Sequence, residues 1–266
     1  MQRLRRLVGR RKAREAERHF VVEGVKILSE ALAAGLAIES VLWDPALHAD
    51  EEGMELLRQC GQSGARVDRL APGVLERVAD TVTPQPVMAV VPYVDVPLER
   101  LERGTLLVVC AGIQDPGNAG TVLRSAGAAG ADGLISCDGS VDVYNPKTVR
   151  ASAGSLFHVP VVVGGDAVQV LERIGGWGRR RLGAVAAGGT DYGQCDLTSP
   201  LAFVLGNEAA GLPESLTPLL DDRVTIPMAG RMESLNVGMA GSVLCFEAAR
   251  QRRARAPSAA PAGAVG

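Results

Sequence analysis

The sequence predicts an α/β fold with a parallel sheet, preceded by a smaller alternating α/β unit. Three observations lead to this class. The 266 residues are enough for about two domains of ordinary size. From Thr105 onward, short runs of Val and Leu alternate with helical segments, as in a parallel sheet covered on both faces. Helical and strand-like segments also alternate between residues 23 and 91, and a proline-containing stretch separates the two regions.

The elements of the first unit follow from apolar spacing and turn residues. We predict helices over residues 23–34, 51–59 and 72–79, and strands over 38–43, 65–70 and 87–91. Pro92, Pro97 and the charged residues after them mark a linker. The first unit is therefore a small domain with its own sheet.

In the second region, continuous apolar runs predict buried strands over 106–110, 133–136, 159–163, 182–186, 201–205 and 223–226. Helical spacing predicts helices over 120–129, 166–174 and 236–250. The uncharged Ala/Pro/Gly/Ser tail at 256–266 is expected to be disordered. Strands and helices thus alternate through the whole region.

Composition places the chain among ordinary globular proteins. Hydrophobic residues make up 47% and charged residues 22%, which excludes disorder over most of the chain. The net charge is only -2, so a polyanionic partner must be bound by a local patch. No apolar run approaches the roughly 18 residues of a membrane span, and no export signal is recognisable. We expect a cytoplasmic protein without a membrane partner.

The sequence lacks the motifs of several common kinds of enzyme and metal site. Five cysteines without a Cys-x-x-Cys pair predict buried free thiols in a reducing compartment. The three histidines lack metal-ligand spacing, and we predict no metal site. Arg181 stands where a dinucleotide-binding loop needs its third glycine, and Leu212-Pro213 stands where a phosphate-binding loop needs Lys-Ser/Thr. These gaps argue against a Rossmann cofactor enzyme and against NTP hydrolysis.

The first 18 residues form a basic segment, which we call the basic arm. It carries eight Arg or Lys residues against two Glu residues. Charge density supports two interpretations equally: contact with nucleic-acid phosphates, or a solvated and partly frayed helix. The candidate phosphate-binding residues are Arg5, Arg10, Arg11 and Lys12.

Three polar segments follow predicted strands. In the first, residues 115–124, Asn118 is suited to cap a helix of small residues, and Arg124 falls about two turns later. An arginine on such a helix extends to water or faces a polar cleft, and the residues alone leave its role open.

The second and third polar segments, residues 203–213 and 226–238, lie where ligands of open α/β sheets bind. Glu208 could simply favour a helix start through the helix dipole, and Ser234 or Asn236 could cap the last helix. The third segment is nonetheless more polar than capping requires.

Together, these segments resemble the SpoU (TrmH) family of S-adenosylmethionine-dependent RNA ribose 2′-O-methyltransferases. Three motifs in the family's order carry the resemblance: Asn118 with Gly120 and Arg124, then 205–208 with 211–213, then 226–228 with 234–237. Residues 145–157 also look like this family. About the first hundred residues resemble the L30e-like substrate-binding domain often fused ahead of it.

The resemblance implies a SPOUT-type α/β trefoil knot over residues 105–255, an exception to the usual absence of knots. It places an L30e-like RNA-binding domain at 1–97 and a linker at 98–104. It further implies a homodimer whose site is completed across the dimer interface.

The resemblance also implies S-adenosylmethionine as cofactor and assigns the site. The cofactor-binding residues would be Leu205, Gly206, Asn207, Ile226, Met228, Leu235 and Asn236. The catalytic residues would be Arg124, Glu208, Ser234 and Asn236. Arg124 would act as proton acceptor or as a clamp on phosphate. Substrate binding would add Asn118 and Arg150 to the basic arm.

The expected function is methylation of a ribose 2′-hydroxyl in structured RNA, in the first place ribosomal RNA, because of the whole extra amino-terminal domain. One alternative is a transfer-RNA methyltransferase. Another is an inactive RNA-binding relative, which would be expected to lack Arg124, Glu208 or Asn236, and all three are present. No DNA partner is expected.

Overall fold

The computed structural model describes residues 1–81 and 83–255. The chain begins with two short helices, α1 (Gln2–Gly9) and α2 (Arg11–Glu17). Next come β1 (His19–Glu23), α3 (Val25–Ala33), β2 (Ser40–Trp43), α4 (Glu51–Gln62), β3 (Arg66–Arg69) and β4 (Val87–Pro92). These strands form one sheet in the order β1-β4-β2-β3, in which only β2 and β3 run parallel.

A second sheet of seven strands follows. Its elements are β5 (Leu106–Cys110), α5 (Pro116–Ala128), β6 (Gly133–Ser136), α6 (Pro146–Ala151), β7 (Val161–Val163), α7 (Ala167–Gly176), β8 (Arg180–Ala184), β9 (Thr190–Asp191), β10 (Leu201–Leu205), β11 (Asp222–Thr225) and α8 (Val237–Arg255). The strand order is β7-β6-β5-β10-β8-β11-β9, and every neighbouring pair runs parallel. All these strands therefore end at the same edge.

The seven-stranded sheet is buried on both faces, which confirms the predicted parallel α/β class. In β5, Leu106 and Val108 belong to the apolar cluster that includes residues of α5 and α8. Leu107 and Val109 belong to a second cluster, with residues of α7. Because successive side chains of a strand alternate, both faces of β5 are apolar.

The predicted helix at 72–79 is wrong, because the chain forms only successive turns there. Gly73 adopts a left-handed φ of 74°, and its N–H donates to Asp44 at 2.8 Å instead of continuing a helix. Leu75 and Val78 are nevertheless buried against α1, as their apolar spacing suggests. The apolar spacing therefore predicted correctly which side chains are buried, but it predicted the wrong backbone conformation.

Other differences follow from tertiary pairing. Strand β1 was not predicted, and residue 23, expected to start a helix, is its last residue. It forms by pairing antiparallel to β4, more than sixty residues later in the sequence. Helix α6 and the short β9 were also missed, and β8 lies two residues earlier than predicted because β10 sets its register.

The basic arm is folded into two helices, so the expected fraying is wrong, although most of its charged side chains are exposed to solvent. Leu4, Leu7 and Val8 of α1 are buried in one cluster with residues of β1 and β4. Arg14 of α2 is itself buried and pairs with Asp142 of the carboxyl-terminal region. The charged residues of the arm therefore lie on a helical scaffold.

Aromatic packing joins the two sheets. The rings of Phe20 and Tyr144 have centroids 4.8 Å apart, and Tyr93 stacks on Tyr144 at 3.7 Å. One apolar cluster includes buried residues of both sheets. A shared core of this kind favours a fixed relative orientation of the two sheets.

The segment 98–104 is packed as well. It contains a 3-10 turn at Leu98–Leu101, and Leu101 is buried beside Gly133. The tail predicted to be disordered, 256–266, lies outside the described residues. No helix within residues 1–81 and 83–255 is long and apolar enough to cross a membrane.

Candidate active site

A cavity of about 320 Å³ lies at the carboxyl edge of the seven-stranded sheet, where β8, β10 and β11 end. Every residue predicted for cofactor binding lines it: Leu205, Gly206, Asn207, Ile226, Met228, Leu235 and Asn236. Of the other predicted catalytic residues, Glu208 and Ser234 line it too. Two of the three polar segments thus form one wall each.

A tight turn after β10 forms the first wall. The N–H of Asn207 and the N–H of Gly211 each donate to the carbonyl oxygen of the other residue at 2.9 Å. A Cβ on Gly206 would lie 2.4 Å from the backbone of Gly211, so no side chain fits there. Asn207 Oδ1 accepts from the N–H groups of Ala209 and Ala210 and holds the turn closed. At Gly206 the turn therefore presents backbone to the cavity.

The segment 226–235 forms the second wall. Its backbone groups make no hydrogen bond to other residues in the described part of the chain. Met232 is 73% exposed, and Ser234 and Leu235 are exposed as well. The N–H and C=O groups of this wall are consequently free to bind a ligand.

Glu208 connects the first wall to the start of α5. Its carboxylate accepts from the N–H groups of Gln114 and Asp115, both at 3.1 Å, and from Asn118 Nδ2 at 2.9 Å. Burial alone would raise the pKa of Glu208, but these hydrogen bonds outweigh it and the pKa lies below that of an ordinary glutamate. The carboxylate is therefore kept charged where the three segments meet.

Asn118 connects Glu208 to the second wall. Its Oδ1 accepts from Asn236 Nδ2 at 2.8 Å. Asn236 Oδ1 accepts from the N–H of Gly238 at 2.9 Å and so caps α8. The expectation that Asn118 caps α5 is wrong, because Asp115 is the cap and accepts from the N–H of Asn118. The side chain of Asn118 is thereby free to bridge the two walls.

The remaining predicted residues lie outside this cavity. Arg124 is exposed on α5 and makes no hydrogen bond or ion pair with any described residue. Arg150 pairs with the buried Glu23 at 2.9 Å, where the two sheets meet. In the basic arm, Arg11 pairs with Glu15 at 2.7 Å. The other three, Arg5, Arg10 and Lys12, are exposed and form no ion pair within the described ranges.

Sequence reasoning missed part of the lining. The end of β8 and the residues after it, 184–186, contribute a third wall, and Leu212 and Leu244 contribute apolar side chains. β8 lies next to β10 although it is about twenty residues away in sequence, so only the sheet order brings it here. Among the described residues, no group of three or more His, Cys, Asp or Glu side chains could hold a metal ion.

Fold and cavity together define a two-domain α/β protein with a ligand site built from backbone loops at the carboxyl edge of a parallel sheet. The model of the SpoU rRNA Methylase family matches residues 105–246, and that of the MRM3-like substrate binding domain matches residues 1–89. The chain belongs to the SpoU rRNA methylase family. The resemblance read from the three motifs is confirmed.

Individual relatives are similar in sequence to this protein along most of its chain. The 23S rRNA (uridine(2479)-2'-O)-methyltransferase of Streptomyces viridochromogenes is 35% identical, over 92% of this chain and 88% of that protein. The 23S rRNA (guanosine(2553)-2'-O)-methyltransferase of Bacillus subtilis is 31% identical, over 89% of this chain and 90% of its own length.

A solved structure shows the same fold. The SpoU methyltransferase AviRb from Streptomyces viridochromogenes, in complex with the cofactor AdoMet, superposes with a TM-score of 0.84 at 33% identity. The superposition covers 95% of this chain and 98% of that one. The predicted SPOUT fold behind an amino-terminal substrate-binding domain is confirmed.

The lowered pKa of Glu208 makes a prediction about acid stability. A carboxylate with a depressed folded pKa stabilises the fold above its unfolded pKa, and this contribution is lost as pH falls through the folded value. Wild type should exceed Glu208→Gln in unfolding free energy by about 1 kcal/mol near neutral pH, allowing for solvent screening at this exposed residue. The difference should shrink below the ordinary glutamate pKa of 4.5.

Urea unfolding at neutral and acid pH measures this difference. The matched control is Glu214→Gln, an exposed glutamate beyond the same loop that hydrogen-bonds to no described residue. Its unfolding free energy should stay close to that of wild type. A difference for Glu208→Gln that stayed constant down to acid pH would contradict the assignment.

Proposed function

We propose that this protein transfers a methyl group from S-adenosylmethionine to a ribose 2′-hydroxyl of ribosomal RNA. The observation that carries this function is that the three family motifs meet at one cavity, where Asn118 is hydrogen-bonded to both Glu208 and Asn236. Both relatives named above are 23S rRNA 2'-O-methyltransferases, which supports ribosomal RNA as the substrate.

The residues of the cavity fit the cofactor. Leu205, Leu212 and Leu244 offer apolar contact to a flat base, and the free backbone groups of 226–235 offer hydrogen bonds to the adenosine. Glu208 is the one charged side chain in the cavity lining, and its carboxylate complements a positive sulfonium. The bound cofactor supplies a methyl group that its sulfonium already activates.

The task left to the protein is to orient the 2′-hydroxyl, a weak nucleophile at neutral pH, and to take up its proton. We assign this task to Arg124, as proton acceptor or as a clamp on a neighbouring phosphate. Arginine is normally always charged, so the clamp demands the smaller perturbation. Glu208, Ser234 and Asn236 would orient the ribose and the arginine.

Two alternatives are weaker. Transfer RNA is the alternative substrate, and the whole amino-terminal domain ahead of the methylase region favours ribosomal RNA over it. An inactive RNA-binding relative would be expected to have lost a residue of the site. The intact hydrogen-bond chain from Glu208 to Asn236 argues against that loss.

Binding and methyl transfer test the function together. Calorimetry should show that S-adenosylmethionine binds, and tritiated methyl groups should enter total ribosomal RNA but not total transfer RNA. Arg124→Ala should lower methyl transfer by about 100-fold or more with little change in cofactor affinity. Arg173→Ala, on the exposed side of α7, is the matched control and should keep its rate.

Each contrary result has a distinct meaning. Absence of cofactor binding would favour the inactive relative, and label in transfer RNA would favour the alternative substrate. A near wild-type rate for Arg124→Ala would remove Arg124 from the chemistry.

The basic arm is the proposed contact with RNA phosphates. Arg5, Arg10 and Lys12 are free of ion pairs within the described ranges; Arg5 lies on α1, Lys12 on α2, and Arg10 between the two helices. Arg150 is a weaker candidate, because it is paired with Glu23, and Glu23, Asp50 and Glu52 line the cavity of about 450 Å³ that it borders. Because these helices are packed, the backbone that carries the cations is already ordered before RNA binds.

Salt dependence measures the role of the arm. Changing Arg5, Arg10 and Lys12 to Ala should reduce the slope of log affinity for RNA against log salt by roughly 2 to 3. Cofactor affinity should not change. A control that replaces Arg103, Arg173 and Arg223 removes the same charge elsewhere and should keep the slope. An unchanged slope in the arm variant would refute phosphate contact.

We infer a homodimer through an apolar face of α8 and the segment before it. Most of the large exposed apolar side chains of the described chain lie there: Met232, Leu235, Met239 and Phe246. Met239 and Phe246 are seven residues apart and lie on the same side of α8. Arg124 does not line the cavity of its own chain, which supports a site completed by a second copy.

Charges on this face should separate the dimer. Met239→Glu combined with Phe246→Glu should give a monomer by light scattering coupled to size exclusion, with methyl transfer lost. Gln62→Glu with Ser63→Glu adds charge at two exposed positions, the last residue of α4 and the residue after it, and should leave the mass unchanged. A wild-type mass equal to one chain would contradict the proposal.

We also infer a cytoplasmic, reducing setting. All five cysteines are free and buried. Burial raises the pKa of Cys137 and of Cys245 to about 12, which keeps both thiols protonated and unreactive.

A further inference from the structure

A buried ion pair connects the basic arm to the carboxyl-terminal region. Arg14 is 3% exposed and Asp142 is 7% exposed. Arg14 Nε and Nη2 donate to Asp142 Oδ2 at 2.9 and 2.6 Å. Arg14 Nη1 donates to the carbonyl oxygens of Leu7 and Val8. Since an unpaired charge at this depth is costly, these bonds fix the arm relative to Asp142.

Asp142 lies in the loop between β6 and α6, residues 137–145, which we call the bracing loop. This loop holds the end of β5 and the turn that follows it, residues 111–115. Ser140 Oγ donates to the carbonyl oxygen of Cys110 and accepts from the N–H of Gly112, both at 2.9 Å. The N–H of Val141 donates to the carbonyl oxygen of Ile113 at 2.8 Å. The bracing loop is therefore joined to the end of β5 and to the turn by three hydrogen bonds.

The same turn holds the first wall of the active-site cavity. Asn207 Nδ2 donates to the carbonyl oxygen of Gly112 at 2.9 Å. The N–H groups of Gln114 and Asp115 donate to the carboxylate of Glu208. Hydrogen bonds and the short backbone segments between them thus connect Arg14 through Asp142 and Ser140 to Asn207 and Glu208.

A second contact runs beside the first. Arg11 Nη1 donates to the carbonyl oxygen of Ser140 at 3.4 Å, and Gln114 Nε2 donates to that of Gly139. Two adjacent residues of the bracing loop are therefore bound by the basic arm on one side and by the turn on the other. The arm is a neighbour of the site and not a remote anchor.

We propose that Arg14, Asp142 and Ser140 are positioning residues for methyl transfer, through which the amino-terminal domain sets the place of Asn207 and Glu208. This inference rests on the proposed function. The physical reason is that RNA held by the amino-terminal domain must present its hydroxyl to a cavity in the other domain. A misplacement of about 1 Å can cost 100-fold in rate. The bracing loop keeps the amino-terminal domain in a fixed position relative to the cavity.

Ser140→Ala tests the link without touching the contact between the domains. Single-turnover methyl transfer at saturating cofactor and RNA should fall about tenfold. The dissociation constants for both ligands and the melting temperature should stay close to wild type. The matched control is Ser152→Ala, which removes another buried hydroxyl that donates only to the carbonyl oxygen of Val149. Its rate should not change.

A double-mutant cycle tests whether the two steps lie on one path. Asp142→Asn should also lower the rate, and the double variant with Ser140→Ala should fall little further than the slower single variant. Independent, multiplicative losses would overturn the proposal. If Asp142→Asn does not fold, Ser140→Ala still decides.

Three results separate the possible failures. A near wild-type rate for Ser140→Ala overturns the positioning role. A large loss of cofactor affinity also overturns it, because the cavity itself would then have changed. A wild-type protein that methylates no RNA overturns the proposed function instead.

Discussion

The site depends on one carboxylate that brings three distant segments together. Glu208 accepts hydrogen bonds from the start of α5, and Asn118 passes the contact on to Asn236 at the start of α8. The contact is possible because β5, β10 and β11 run parallel and end at one edge. Its strength comes from a charged acceptor held by fixed donors. The cavity walls are loops without regular secondary structure. The hydrogen bonds that join Glu208, Asn118 and Asn236 therefore define the positions of these walls.

The amino-terminal domain is joined to that site by buried polar contacts as well as by apolar packing. Tyr93 stacks on Tyr144 at the joint, and the buried pair of Arg14 and Asp142 adds a specific polar contact. Apolar contact alone tolerates sliding, whereas a buried guanidinium that donates four hydrogen bonds, two of them to a buried carboxylate, strongly favours one arrangement. RNA bound at the arm would therefore be held in a defined relation to the cavity.

Sequence patterns predicted the buried strands best. The strands at 106–110, 133–136 and 201–205 were predicted to the residue, because a strand buried on both faces shows its boundaries in its apolar composition. The helix at 72–79 failed because its apolar spacing is equally satisfied by turns whose side chains reach the core. β1 and β9 were missed because each forms only through its partner strand.

The candidate site also has features that the sequence predicted and features that only the tertiary structure determined. The motif residues, and with them the family and the walls formed by 205–212 and 226–236, were recognisable because their residue types and order are unusual between apolar elements. Tertiary structure alone decided that Asn118 bridges Glu208 and Asn236 instead of capping α5, that Arg14 is buried, and that Ser140 touches the turn after β5. A local sequence pattern predicts which side chains become buried. Which distant partner satisfies each buried polar group is settled only when the whole chain has folded.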